Sequence, residues 1–449
     1  MPPARFLRDY WQKHPLLVRN ALPDFAPPLS PGELAGLACM DGALARIILR
    51  RSIPGAKAGK PVSRRRGNDG MGSLAPRRHE DKSRTDDRWA VHTGPFDDDT
   101  FAKLPESRWT LLVQDVDKWD DATAALLDRF AFIPRWRVDD VMVSYAADGG
   151  GVGAHVDQYD VFLLQGNGRR KWRISIDPHA ATDLREDVEL KLLRRFSPTH
   201  AWTLEPGDML YLPPGIPHDG VAIGECMTYS IGMRAPSAAE MLLDFAEYVA
   251  QSLPDSLRYR DSGLRPAGGD GEIDDDAIAR VRAVLAGVGL KTGDEQPVRK
   301  RAPSGQEGFA RNVLAQEHVG GVEGFARAAP ASLLRTWFGR FITHYRSDFD
   351  FDADAAPMPN TAFAHAVDRG AMIEIAPRAR AAWQREQHGA TLFVVGRAWA
   401  CSTRLARRIA SRRPFALGGF ARSTTDRDVL RALAGCGIIR LQRDRKPKR

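Results

Sequence analysis

Cysteine is scarce in this 449-residue chain: Cys39, Cys226, Cys401 and Cys436 stand far apart, with no Cys-x-x-Cys pair among them. That excludes a disulfide framework and a thiolate zinc site, and it leaves the four as reduced packing residues. Long apolar runs are missing too. None reaches the ~18 residues that a membrane-spanning helix needs, and the opening MPPARFLRDYWQKHPLLV has no apolar stretch ending in small residues. A cytoplasmic protein with no membrane association is expected. No internal repeat is evident either.

Acidic residues are sparse only in places. The net charge of +8 suggests a nucleic-acid binder until it is located along the chain. Residues 50–84 carry 11 Lys/Arg against 3 Asp/Glu, and residues 397–449 carry 15 against 3. Residues 85–396 hold 34 basic and 47 acidic side chains. The middle of the chain is therefore acidic, and a negative field there favours a cationic partner.

The pattern along the chain divides it. Trp11 through Leu22 reads as a helix leading to a short strand, and PPLSPGELAGLA places Pro, Ser and Glu where a helix starts. From about Arg50 to Arg84, Gly, Pro, Ser and Arg mix without apolar periodicity, as in a solvated loop. From Trp89 to about Arg234 come short apolar or alternating segments, among them TLLVQDV, WRVDDVMVSYA, YDVFLLQ, KWRISI, DMLYLPP and MTYSIGMR. Such spacing predicts an antiparallel sandwich or barrel. The period turns helical at Ser237, with Met241, Leu242, Phe245 and Val249 on one stripe and Leu333, Leu334, Trp337, Phe338 and Phe341 on another. These stripes exceed what a helix needs against a small barrel, and a dimer interface is expected. Residues 355–449 mix helical and strand patterns, as a small α+β module does.

The chemistry concentrates in GGGVGAHVDQYD. His155 and Asp157 are one residue apart, so on a strand they share a face, and the preceding glycines keep the approach free of side chains. Alone, the pair also fits an exposed strand. A third ligand comes with EPGDMLYLPPGIPH, in which a strand and a proline-rich turn deliver His218 at a fixed register. Two His and one carboxylate with open positions form the ligand set of non-haem Fe(II) oxygenases. Such an enzyme needs an electron donor, commonly 2-oxoglutarate, with O2 as the second co-substrate. The distal carboxylate of 2-oxoglutarate needs a cation, for which QGNGRRKWRISI offers Arg169, Arg170 and Lys171 after a Gly-containing turn. At least one of the three is expected in water at a hairpin tip.

The segments HVDQYDVFLLQGNGRRKWR, EPGDMLYLPPGIPHDG and WTLLVQDVDKW resemble the bacterial ribosomal oxygenases. These are JmjC-type, cupin-fold, Fe(II)- and 2-oxoglutarate-dependent dioxygenases that hydroxylate the β-carbon of an arginine in a large-subunit ribosomal protein. The resemblance implies a mixed α+β chain: a double-stranded β-helix (cupin or jelly roll) followed by a helical dimerisation region and a winged-helix-like domain. Residues 1–49 then form the N-terminal part of the catalytic unit, 50–84 a basic flexible insertion and 85–236 the catalytic core. Residues 237–345 form the dimerisation region and 355–449 the C-terminal domain. It also implies His155, Asp157 and His218 as iron ligands and Arg170 as the partner of the 2-oxoglutarate carboxylate. The family's hydroxyl partner falls on Ala146 here, and Ser144, two residues earlier, is the candidate substitute.

The function expected is hydroxylation of a basic ribosomal protein. Demethylation of a basic protein uses the same centre and differs in which carbon faces the metal. A non-catalytic scaffold that contacts RNA through its basic tail is the reading from another class, and it has no need for three convergent ligands.

Overall fold

The sequence's helix-start signals are met in detail, and they frame the first sheet. In the computed structural model, which describes residues 1–51, 88–262, 275–286, 331–344, 351 and 355–442, Ser30 caps the helix Pro31–Ala38 by accepting a hydrogen bond from the Glu33 N–H. The Glu33 carboxylate returns one from the Ser30 N–H at 2.8 Å, a reciprocal capping box. The helix expected from Trp11 onward lies earlier, at Pro3–Asp9, and the strand that follows is Leu16–Val18. The reason is packing. Trp11 stacks on Phe162 and Tyr211, and Gln12 adopts a left-handed φ of 57° from which its N–H meets the Tyr211 hydroxyl at 2.8 Å.

Residues Met1–Ala235 form one compact unit and Pro236–Arg449 another. The first is built on ten antiparallel strands: β1 (Leu16–Val18), β2 (Ala45–Arg51), β3 (Arg88–Thr93), β4 (Trp109–Val113), β5 (Val138–Ala146), β6 (His155–Val156), β7 (Val161–Ile174), β8 (His200–Leu204), β9 (Met209–Leu212) and β10 (Pro217–Met233). The hydrogen-bonded order is β1-β9-β7-β10-β5-β4-β2-β3, with β6 on β10 and β8 on β7. Register sorts the side chains into two faces. One face joins Leu111, Val113, Val143, Phe162, Tyr211, Tyr229 and Ile231 in the main apolar core with the flanking helices. The opposite face carries Val161, Leu163, Trp172, Ile174, Leu204, Leu210 and Leu212, a second buried cluster. This is the JmjC, or cupin, architecture.

One element departs from the sequence reading. YDVFLLQ and KWRISI are not separated by a hairpin turn; they are halves of one long strand, β7, paired with β10 on both sides of a bulge between Ile223 and Met227. Gly168 makes this possible. It sits at φ +60°, and a Cβ there would lie 2.0 Å from the Glu225 carbonyl oxygen, so a side-chain-free residue carries the strand through the irregularity.

In the second unit, Ser237 and Glu240 form another capping box at the start of the helix Ala238–Ala250. That helix packs on Ala331–His344, where Trp337 meets Phe245 at 4.9 Å and donates its indole N–H to Asp244 at 2.8 Å. Phe245, Val249, Trp337 and Phe341 of the two expected stripes are thereby buried within the chain, whereas Met241, Leu242, Leu333, Leu334 and Phe338 remain half-buried. Two three-stranded sheets follow, Met372–Ile375 with Phe415–Ala416 and Ile439–Gln442, and the meander Ala381–Glu386, Gly389–Val394 and Arg397–Cys401. Helices Asn360–Asp368, Thr403–Ser411 and Thr424–Gly435 complete the module. Nearly all of the 50–84 insertion, residues 263–274 and 287–330 of the helical region, and 443–449 lie outside the described residues.

Candidate metal centre

Strand β10 organises the site. Its first residues pair with β6, placing His218 opposite His155, and Asp157 follows two residues later. The imidazole rings lie 4.3 Å apart. Asp157 Oδ2 stands 3.8 Å from His155 Nε2 and 3.6 Å from His218 Nε2. One ligand atom from each residue falls within 4.8 Å of the others, and among the described residues this is the one such cluster of three.

The backbone sets the chemistry of both rings. His155 Nδ1 lies 2.8 Å from the Gly153 carbonyl and His218 Nδ1 2.9 Å from the Ile216 carbonyl. Each ring donates through Nδ1–H and presents the Nε2 lone pair to the centre. Burial and the adjacent His155 drive the pKa of His218 well below the ordinary imidazole value, so it stays neutral and ready to ligate. Two imidazole nitrogens and one carboxylate oxygen converging on one point fit a divalent metal that keeps open positions.

Strand alternation decides among the three cations of GRRKW. Arg169 and Lys171 are exposed, whereas Arg170 is 4% exposed and faces inward. It pairs with Ala222, four residues along β10 from His218 and on the same face. Its Nε lies 3.4 Å from Cys226 Sγ, and its Nη2 is buried with no hydrogen-bond partner among the described residues. A buried guanidinium without a carboxylate is costly, and an anionic ligand would complete it. Ser144 is buried on β5 and directs its hydroxyl to the Thr228 carbonyl at 3.4 Å.

Two further residues join this wall without having been singled out from the sequence. Trp172 sits between the two sites, with its ring 6.0 Å from that of His218 and 5.8 Å from the Arg170 guanidinium, and its Nε1–H is buried without an acceptor among the described residues. Gly220 makes room for it, since a Cβ there would lie 2.7 Å from the indole. Alternation from Arg170 was the signal for Trp172. Thr110, fully buried on β4 with a hydroxyl that has no partner among the described residues, gave no comparable signal, because it reads as the first residue of an apolar strand.

Comparison with known proteins agrees with this geometry. Residues 125–241 match the JmjC domain and residues 326–436 the ROXA-like winged helix. The ribosomal protein uL16 3-hydroxylase of Escherichia coli is 35% identical over 283 residues, covering 62% of this chain and 65% of that protein. A probable ribosomal oxygenase of Haemophilus influenzae is 32% identical over 63% of each chain. The aligned part thus spans somewhat less than two thirds of either curated relative. In structure, E. coli YcfD superposes over 98% of both chains with a TM-score of 0.70 and 26% identity. YcfD solved with cobalt and 2-oxoglutarate gives a TM-score of 0.67 at 26% identity over the same coverage. In its fold, its domain order and its site-bearing segment, the chain carries a JmjC domain and is similar to the ribosomal oxygenases.

Proposed function

We propose that this chain is an Fe(II)- and 2-oxoglutarate-dependent dioxygenase that hydroxylates the β-carbon of an arginine in a large-subunit ribosomal protein. One observation carries the reading: the convergent His-Asp-His set and a buried, incompletely bonded Arg170 share one wall of the sheet, four residues apart along β10. That is the spacing problem a keto acid solves, with one end on a metal and a carboxylate at the other. The E. coli relative's name specifies a ribosomal protein and position 3, the β-carbon.

When bound, iron with 2-oxoglutarate and O2 supplies the oxidising power for C–H cleavage. The protein's own residues do the rest. The Gly153 and Ile216 carbonyls fix the tautomers of His155 and His218, Arg170 holds the co-substrate's distal carboxylate, and Trp172 walls the space between them against water. An acidic catalytic segment suits a cationic substrate. Such a substrate implies a cytoplasmic enzyme, and no helix among the described residues is long and apolar enough to cross a membrane.

Two partner assignments belong to the same proposal. The helix Asp275–Ala286 exposes Ile278, Val281 and Leu285 by 41%, 42% and 66%, a stripe at helical spacing that supports a homodimer through the 237–345 region. On the C-terminal module, Arg385 and Arg407 flank Trp383 at 6.0 and 5.4 Å, beside exposed Arg404 and Arg408. Arginines with an aromatic between them suit RNA contact.

The test is mass spectrometry of ribosomal proteins from cells with and without the gene, and after incubation with the purified enzyme. One added oxygen on an arginine peptide is expected. Loss of a methyl group from a lysine or arginine would instead favour demethylation, and no mass change with intact iron binding would favour a scaffold.

A further inference from the structure

Resting on the 2-oxoglutarate reading above, we infer that the Thr110 hydroxyl, not that of Ser144, is the second anchor of the distal carboxylate beside Arg170. Thr110 is fully buried, and its Oγ1 has no hydrogen-bond partner among the described residues, a state that costs free energy unless a ligand completes it. Register puts Thr110 beside Ala146 and Ala146 beside Cys226. The three residues thus form one line across β4, β5 and β10 on the inward face.

Arg170 reaches that line from the other side. It starts on β7, and its Nε already touches Cys226 Sγ at 3.4 Å. Between Cys226 and Thr110 the line holds only the methyl of Ala146, and Ala146, Ala222 and Cys226 form a small-residue patch beneath the guanidinium. Neighbouring strands are about 4.8 Å apart, so roughly 10 Å separates the backbones of β10 and β4. A carboxylate accepting from Nη2 on one side and a hydroxyl on the other fits this span.

The neighbouring hydroxyls are already engaged. Ser144 Oγ donates to the Thr228 carbonyl and Thr228 Oγ1 to Gln165 Oε1 at 3.2 Å. Gly150 closes this end of the line: a Cβ there would clash with the Trp109 and Ala147 carbonyl oxygens at 2.2 and 2.8 Å and come within 3.1 Å of Thr110 Oγ1.

The experiment measures binding by calorimetry under anaerobic conditions with the Mn(II)-loaded full chain. The probes are 2-oxoglutarate and 2-oxopentanoate, which lacks the distal carboxylate. Thr110→Val keeps the shape and removes the hydroxyl. It is expected to weaken 2-oxoglutarate about tenfold and to leave 2-oxopentanoate unchanged, whereas Thr110→Ser and Ser144→Ala stay within about twofold of the parent. The inference is overturned if Thr110→Val binds 2-oxoglutarate normally while Arg170→Ala does not, if Ser144→Ala carries the loss instead, or if Thr110→Val weakens both acids alike. If the parent binds no 2-oxoglutarate, or Arg170→Ala binds it as the parent does, the underlying co-substrate reading fails, and that result differs from a failure of Thr110 alone.

Discussion

At the scale of single residues, each wall position has a distinguishable consequence. His155 and Asp157 keep 22% and 21% of their side-chain surface, whereas His218 keeps 3%. All three alanine variants are expected to lose divalent-metal binding and 2-oxoglutarate turnover. Only His218→Ala should also lower Tm clearly, by leaving a cavity beside Trp172. Calorimetric metal titration and thermal melts check both parts, and undiminished succinate production by any folded variant would remove that residue from the ligand set. Arg170→Ala should weaken 2-oxoglutarate roughly 100-fold, as expected when a desolvated carboxylate loses a charged fork, and Arg169→Ala by less than about threefold. The triad was legible because the His155–Asp157 spacing is short and both histidines, a scarce residue type here, stand in glycine- or proline-bounded motifs. Thr110 was not, since its role depends on three strands being in register, and its local sequence, WTLLV, carries only strand propensity.

At the scale of elements, the bulged pair β7–β10 shows what the sequence withheld. Gly-Asn-Gly reads as a turn by local chemistry, yet β7 runs on for 14 residues alongside β10 because Gly168 accepts a positive φ within the strand. Tertiary pairing overrode the turn signal. The inward alternation on either side of that glycine nevertheless survives, which is how Arg170 and not Arg169 comes to face the pocket. On the neighbouring strand β5, Asp140 is buried, and burial followed by the nearby Asp139 and Asp115 pushes its carboxyl up to about 7. Its Oδ2 accepts the Asp115 N–H at 3.0 Å. From roughly pH 4, where the unfolded carboxyl ionises, up to pH 7, the folded chain therefore keeps a proton that the unfolded chain has lost. This group's contribution is fully present below the unfolded value and is lost as pH rises through the folded one. Asp140→Asn retains an acceptor for Asp115 and cannot ionise. Its Tm should match the parent at about pH 4 and below, and exceed it by a few degrees at pH 8. Parallel pH profiles of parent and variant would refute the assignment.

At the scale of the whole chain, the basic stretch after β2 poses the remaining question, and its two ends answer part of it. Arg51 and Arg88 are paired neighbours on β2 and β3, so everything between them begins and ends across one rung, about 5 Å wide, of an antiparallel ladder. A turn of about four Gly/Asn-rich residues can span that rung. Its shorter closure costs less entropy, by about 0.6 kcal/mol for each halving of loop length. What such a replacement must preserve is the register beyond it. Trp89 pairs with Arg50 and lies against Gly153, where a Cβ would come within 3.0 Å of the indole. The Gly153 carbonyl in turn orients His155. Replacing residues 52–87 by such a turn is therefore expected to leave Tm equal or higher and metal binding and turnover of a short arginine peptide intact. Association with ribosomes, measured at two salt concentrations, should weaken and lose part of its salt dependence as the positive charges leave. Loss of peptide turnover in a folded replacement that still binds metal would mean that the segment itself builds the substrate side of the site. Loss of metal binding would instead trace to a slipped β2–β3 register acting through Trp89 and Gly153, and Trp89→Ala in the full chain should then reproduce it.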